Sequence, residues 1–205
     1  MAKVTLTTFL TLDGVMQGPG APDEDTSGGF ECGGWVVPYA DPDMERIVEE
    51  RFDRVTGFLL GRRTYEIFAA YWPRVTDPAD PIASRLNNLP KYVASTTLAE
   101  AGWHNSTLVT DAAHAVRKLK GEVGGELQIH GSGELARSLL AHDLIDEMLL
   151  MVYPVVLGTG KRLFDEDAVP TAFELVGHEA TGKGVAVQRY RLAGRPTFGS
   201  FALDD

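Results

Sequence analysis

A single cysteine, Cys32, is all the thiol chemistry that the 205 residues hold. One thiol excludes an intrachain disulfide framework and any multi-cysteine metal knuckle. Long apolar runs are scarce too. The longest, Met148 to Leu157, covers about half of the ~20 residues that a membrane-crossing helix needs. No apolar h-region follows Met1, so no signal peptide is expected and a cytoplasmic location is. Positive charge is in the minority, with 19 Lys and Arg against 29 Asp and Glu and a net charge of −10. That field opposes non-specific binding to nucleic acid, whose affinity rests on neutralising phosphates. It leaves room for a small anionic ligand in a locally positive pocket. The five histidines (His104, His114, His130, His142 and His178) lack metal-ligand spacing, and no serine sits in a G-x-S-x-G elbow. No metal site is expected.

What is present reads as one domain over residues 1–205, without repeats or an internal linker. Val4 to Leu12 mixes β-branched and apolar residues as a strand does, and Asp13-Gly14 ends it. From Gly14 to Tyr39 come seven glycines and three prolines with little periodicity, the composition of a flexible lid beside a site or of a disordered ornament. Trp35 is either a lid residue or a packing residue that pins this segment to the core. Asp41-Pro42 is an N-cap followed by proline at the first helical position. Met44, Ile47, Val48 and Phe52 then follow at helical spacing, so this helix is expected to bury one stripe and show Glu45, Glu49 and Arg51 to solvent. Further strands are expected at Phe58–Leu60, Lys91–Ser95, Thr107–Val109, Leu127–His130 and Met148–Val156. Helices are expected from Arg62 to the stop at Pro73, from the cap at Asp111 to Lys120, and after Gly133. Phe173–Glu179 and Val185–Leu192 flank a glycine turn and read as a closing antiparallel hairpin. The alternation predicts an α/β fold with a mixed, mostly parallel sheet.

Three strand ends carry chemistry suited to phosphate. Gly131-Ser132-Gly133-Glu134 stands between a strand and a helix, where glycines permit close backbone approach and free helix amides favour an anion. A tight turn without a ligand is the alternative. Gly61-Arg62-Arg63-Thr64 puts two guanidinium groups at a second such junction, and Arg binds phosphate bidentately. Ordinary surface pairing with Glu66 would explain them equally well. Ser95 and Thr96 offer hydroxyls after a third strand. Ligands of open α/β sheets bind beyond the carboxyl ends of strands, so these junctions are expected to line one crevice. Two separate anion spots suit NADPH, with its pyrophosphate and ribose 2′-phosphate. His130 ends a core strand beside the glycine turn, where it either touches cofactor or packs as a structural residue. Gly177 to Gly184 imitates a P-loop but lacks its final hydroxyl and is followed by a strand. Gly158-Thr159-Gly160-Lys161 is a glycine turn after a buried strand, either a plain turn or a border of the pyrophosphate.

The order of these motifs resembles the dihydrofolate-reductase-like superfamily. It is most similar to the reductase domain of bacterial riboflavin biosynthesis, the C-terminal part of the bifunctional deaminase-reductase, and to its stand-alone relatives. The residues that carry the resemblance are Thr11-Leu12-Asp13-Gly14, Leu60 to Glu66, Ser95-Thr96, Gly131-Ser132-Gly133, Asp146-Glu147, Pro154 to Gly158 and Leu163-Phe164. It implies NADPH held by Gly61, Arg62, Arg63, Thr64, Ser95, Thr96, Gly131, Ser132, Gly133 and Glu134. It also implies that Asp13 lies beside the nicotinamide and substrate as the catalytic residue, orienting substrate or relaying a proton through water; capping its own turn is the alternative role. The expected reaction is hydride transfer to a carbon–nitrogen double bond, most like that of 5-amino-6-(5-phosphoribosylamino)uracil reductase. Dihydrofolate reduction and a non-catalytic nucleotide-binding protein are the competing readings. Relatives often form homodimers, and the tail from Pro196 to Phe201 offers two aromatics for such an interface. Folate reductases bind the pterin through a carboxylate on the first helix, and Asp41, Asp43, Glu45, Glu49 and Glu50 crowd that region here without singling one out.

Overall fold

Strand β1 (Lys3–Thr11) is buried along most of its length, which is why apolar and threonine side chains follow one another there without alternating with charges. The computed structural model describes residues 1–202, so 203–205 of the expected domain lie outside the described residues. After β1 come α1 (Pro42–Phe52), β2 (Val55–Gly61), α2 (Arg62–Tyr71), α3 (Pro81–Asn88), β3 (Lys91–Ala94) and β4 (Ser106–Val109). Then follow α4 (Ala112–Glu122), β5 (Glu126–His130), α5 (Gly133–Ala141), β6 (Glu147–Tyr153), β7 (Ala172–Ala180) and β8 (Ala186–Gly194).

Among the described residues, the eight strands join one sheet in the order β4-β3-β2-β5-β1-β6-β8-β7. The first six are parallel; β8 is antiparallel to both β6 and β7. This is the expected α/β fold, with its mostly parallel sheet and closing hairpin. From β1 the chain passes outward to β2, β3 and β4, then returns to place β5 between β2 and β1, and β6 beyond β1. The direction of winding reverses there, and the carboxyl ends of the strands part to leave a crevice.

One face of the sheet packs on α4 and α5 through residues such as Val4, Leu6, Val116, Ile129, Leu139 and Ile145. The other carries α1, α2 and α3 near β2 and β3. Aspartates cap three of these helices: Asp41 accepts from the Met44 amide, Asp80 from Ile82 and Ala83, and Asp111 from His114. The second carboxylate oxygen of Asp41 accepts from Lys183 N–H at 2.9 Å, and Asp43 accepts from Gly182 at 3.0 Å. Helix α1 thereby grips the turn of the terminal hairpin.

Specific contacts hold the glycine-rich segment against the sheet. Val15 makes a β-bridge with Arg162, and the Trp35 indole donates to the Gln17 carbonyl at 2.8 Å. Trp35 and Tyr39 both meet Tyr153 edge to face, with ring centroids 5.3 and 5.7 Å away. Buried aromatic contacts tie the segment to the sheet, with Trp35 in the packing role rather than the lid role. Strand β6 also ends three residues before the expected Val156, because Pro154 cannot donate to a ladder.

Candidate active site

Helices α2 and α5 differ from their capped neighbours. Neither Gly61 nor Ser132, the residues that precede them, offers a side chain to the helix amides. The Ser132 hydroxyl instead accepts from Gly61 N–H at 3.0 Å and donates to the His130 carbonyl at 3.0 Å, while Ser132 N–H donates to Thr64 Oγ1 at 3.2 Å. These bonds lock two helix N-termini side by side and leave the first amides of each helix for another acceptor. The lock holds Ser132 itself in the left-handed region, at φ 52° and ψ 49°. Gly131 beside it has φ 54°, which glycine adopts at no steric cost. At Gly133 a Cβ would come within 2.7 Å of Met16 Sδ, so glycine here admits the loop to the cleft.

These helix starts open onto a cleft of about 1720 Å³. Gly61, Arg62, Arg63, Thr64, Ser95, Thr96, His130, Gly131, Ser132, Gly133 and Glu134 all line it, so the three strand-end motifs meet in one place. The Ser95 hydroxyl accepts from the amides of Thr97 and Leu98, which makes it a turn former at the cleft wall. Asp13 does not line the cleft. Its carboxylate accepts from Thr11 Oγ1 at 2.6 Å and from the amides of Leu157 and Gly158 at 3.2 and 2.9 Å, and Arg162 lies 3.3 Å away. The Thr11 bond first, with those amides, lowers its pKa to about 2 against some opposing burial. Asp13 therefore fastens the end of β1 to the turn after β6, close to its alternative role as a turn residue.

A second set of lining residues escaped sequence reasoning. Thr7, Phe9, Met44, Val48, Arg51, Phe52, Leu149 and Met151 form the inner half of the cleft, mostly apolar, with Thr7 level with His130 and Leu149 across the ladder. Alternate residues of β5 run beneath it as a polar track. Glu126 accepts from Arg51 at 2.6 Å, from Thr5 at 2.8 Å and from Gln128 at 2.9 Å, and Gln128 Oε1 meets His130 Nε2 at 3.0 Å. Burial, helped by the Arg51 charge, lowers the His130 pKa to about 3, so the ring is neutral at physiological pH. Phe52 stacks on it at 4.9 Å. Arg51, expected on the solvent face of α1, is instead buried, because its charge is met by Glu126 inside the fold. Its Nε and Thr7 Oγ1 are buried without a partner among the described residues. The period-two spacing of Glu126, Gln128 and His130 was the one available signal, but it reads as an ordinary strand.

Several cleft cations are matched by carboxylates: Arg51 with Glu126, Arg62 with Glu66, Arg137 with Asp165, and both Arg63 and Lys161 with Asp25. Among the described residues, no group of three or more His, Cys, Asp and Glu could hold a metal, and no helix is long and apolar enough to cross a membrane.

The sheet order, the hairpin and the cleft at the strand ends define a dihydrofolate-reductase-like α/β protein. Dihydrofolate reductase from Enterococcus faecalis, solved with NADP(H), shares the fold at a TM-score of 0.59 with 12% identity, covering 93% of this chain and 96% of that one. The chain belongs to the RibD C-terminal domain family, whose model matches residues 2–187. That family implies an oxidoreductase. A putative riboflavin biosynthesis protein from Shewanella sp. PV-4 is similar at a TM-score of 0.66 and 23% identity, covering 94% of this chain and 99% of that one. The uncharacterized protein YyaP of Bacillus subtilis is 25% identical over 194 residues, 94% of this chain and 96% of YyaP. A second B. subtilis protein, YwjB, also uncharacterized, is 30% identical over 141 residues, 68% of this chain and 76% of YwjB.

Proposed function

We propose that the chain is an NADPH-dependent reductase that delivers hydride to a carbon–nitrogen double bond of a pyrimidine- or pterin-like compound. Among known reactions it is most like that of 5-amino-6-(5-phosphoribosylamino)uracil reductase, the activity named for a Thermotoga maritima deaminase/reductase of similar fold. The observation that carries this reading is the pair of uncapped helix starts facing one cleft beside Arg62 and Arg63. Open amides and guanidinium groups are the donor set that a nucleotide with several phosphates needs.

When bound, the nicotinamide would supply the hydride. The protein's own part is to grip and align. Gly131, Ser132, Gly133 and Glu134 would receive the pyrophosphate on their amides, Gly61, Arg62, Arg63 and Thr64 the adenosine ribose phosphate, and Ser95 and Thr96 the adenosine side. Phe9, Met44, Val48 and Met151 would exclude water from the inner half, where Thr7 Oγ1 and Arg51 Nε have hydrogen bonds still to make. Asp13, ionised at neutral pH and outside the cleft lining, reads as a positioning residue.

Folate reduction is the weaker alternative. None of the carboxylates of α1 lines the cleft; Asp41 and Asp43 hold the hairpin turn, and the α1 residues that do line it are Met44, Val48, Arg51 and Phe52. NADPH oxidation assayed with the aminouracil phosphate and with dihydrofolate tests both readings. Turnover with the first supports the proposal, and turnover with dihydrofolate alone replaces it. Tight NADPH binding without oxidation of either would make this a nucleotide-binding protein. We also propose a homodimer, for which the exposed Phe198 and Phe201 offer contacts and light scattering the test.

A further inference from the structure

Asp25 belongs to the glycine-rich segment, yet its side chain is only 8% exposed and is enclosed by cations from two other parts of the chain. Arg63 Nη1, from the first turn of α2, donates to Asp25 Oδ1 at 2.6 Å. Lys161 Nζ, from the turn that follows β6, donates to Oδ2 at 2.8 Å and to Ser27 Oγ at 2.6 Å. Arg63 and Lys161 are themselves 49 and 48% exposed, and all three residues line the cleft. Burial pushes the Asp25 acid up, but the Lys161 and Ser27 hydrogen bonds outweigh it and hold the group ionised. One carboxylate thus joins two half-exposed cations that reach it from separate elements.

A carboxylate in that position offers two oxygens where a phosphate would offer three and a larger charge. We propose that Arg63 and Lys161 form a phosphate seat, and that Asp25 is a specificity-determining residue that occupies the seat in the free protein and must yield it to the ligand. The inference rests on the proposed coenzyme reading and adds to it a cation from beyond β6 and a resident competitor. The phosphate belongs either to the coenzyme or to the substrate, and the chemistry of the seat is the same for both. Exchange of Asp25 for a dianion would leave the two cations paired and free the Asp25 carboxylate toward water. Gln17 would carry that change into the segment, because its side-chain amide donates to the carbonyls of Asp25 and Ser27 at 3.0 and 2.9 Å and accepts from Lys161 N–H at 3.0 Å.

The test compares wild type with Asp25→Asn by calorimetry at low and high salt, using NADPH, NADH and ribose 5-phosphate as separate probes. Removing the competing charge tightens binding of the phosphate probe by roughly threefold to tenfold, and the gain shrinks as salt rises. A gain for NADPH alone supports the seat and assigns it to the 2′-phosphate. An equal gain for NADPH and NADH supports it as a pyrophosphate contact, and a gain for ribose 5-phosphate supports it as a substrate contact. Arg63→Ala in the Asp25→Asn background cancels the gain. Unchanged or weaker binding of every probe by Asp25→Asn, in a protein whose wild type binds NADPH, overturns the inference and leaves the coenzyme reading standing. Should wild type and variant bind none of the three probes, both fall together.

Discussion

Gly61 N–H donates to the Ser132 hydroxyl at 3.0 Å, joining the end of β2 to the start of α5 across 71 residues of sequence. The bond sets the relative position of two helix N-termini, so its loss should register in coenzyme binding before it registers in folding. Ser132→Ala is expected to weaken NADPH by roughly fivefold, about the worth of one or two hydrogen bonds. Ser132→Gly relieves the left-handed backbone but restores no bond, and should therefore recover melting temperature without recovering affinity. Calorimetry beside thermal denaturation separates the two effects.

Arg62 and Arg63 are proposed to meet the adenosine ribose phosphate, and both are half-exposed, Arg62 in a loose pair with Glu66 at 3.3 Å and Arg63 in a closer one with Asp25 at 2.6 Å. Replacing both by Ala should cost NADPH about tenfold in affinity and NADH much less, since guanidinium–phosphate bonds are charge-assisted. Equal losses for the two coenzymes, measured by fluorescence titration, would sink the 2′-phosphate assignment.

His130 should remain neutral through the range in which histidine ordinarily titrates. Its folded pKa of about 3 lies below the unfolded value of about 6.5. Between those values the unfolded chain binds a proton that the folded chain refuses, so stability falls as pH drops from about 7 toward 3. Urea unfolding across that range should show a shallower acid loss for His130→Gln than for wild type. The His130 ring resonances should show no titration near pH 6.5.

Glu126 is the shared acceptor for Arg51, Thr5 and Gln128. Glu126→Ala strands a guanidinium that is nearly buried, and removal of one partner from such a pair costs about 3–5 kcal/mol. Glu126→Gln keeps an acceptor and should lose less. Chemical denaturation gives the ordering.

The parts of the fold that could be read from sequence are those in which local and global signals agree. Asp41-Pro42 and Asp111 start helices where expected, and the apolar run from Met148 makes a central strand. Asp80-Pro81 carries the same cap and proline signal, yet α3 went unread, because it is only eight residues long and its buried face is just Ala83 and Leu86. In the site, the glycine and arginine junctions announce themselves by composition. Arg51, Thr7 and Asp25 do not, and Lys161 stands in a glycine turn that also reads as a plain turn. Their roles come from contacts between residues far apart in the chain, such as Asp25 and Lys161 at a sequence separation of 136, and no local pattern encodes such a meeting.

Asp41 serves two masters: one oxygen caps the Met44 amide and the other holds Lys183 at the tip of the terminal hairpin. Shortening the chain ahead of β7 would therefore do more than trim an outer strand. The helix that walls the inner cleft would lose its brace, and Met44 would be free to drift from the Tyr153 hydroxyl that now meets its sulfur at 3.3 Å. The far rim of the sheet is thus a structural guarantor of the chamber's shape.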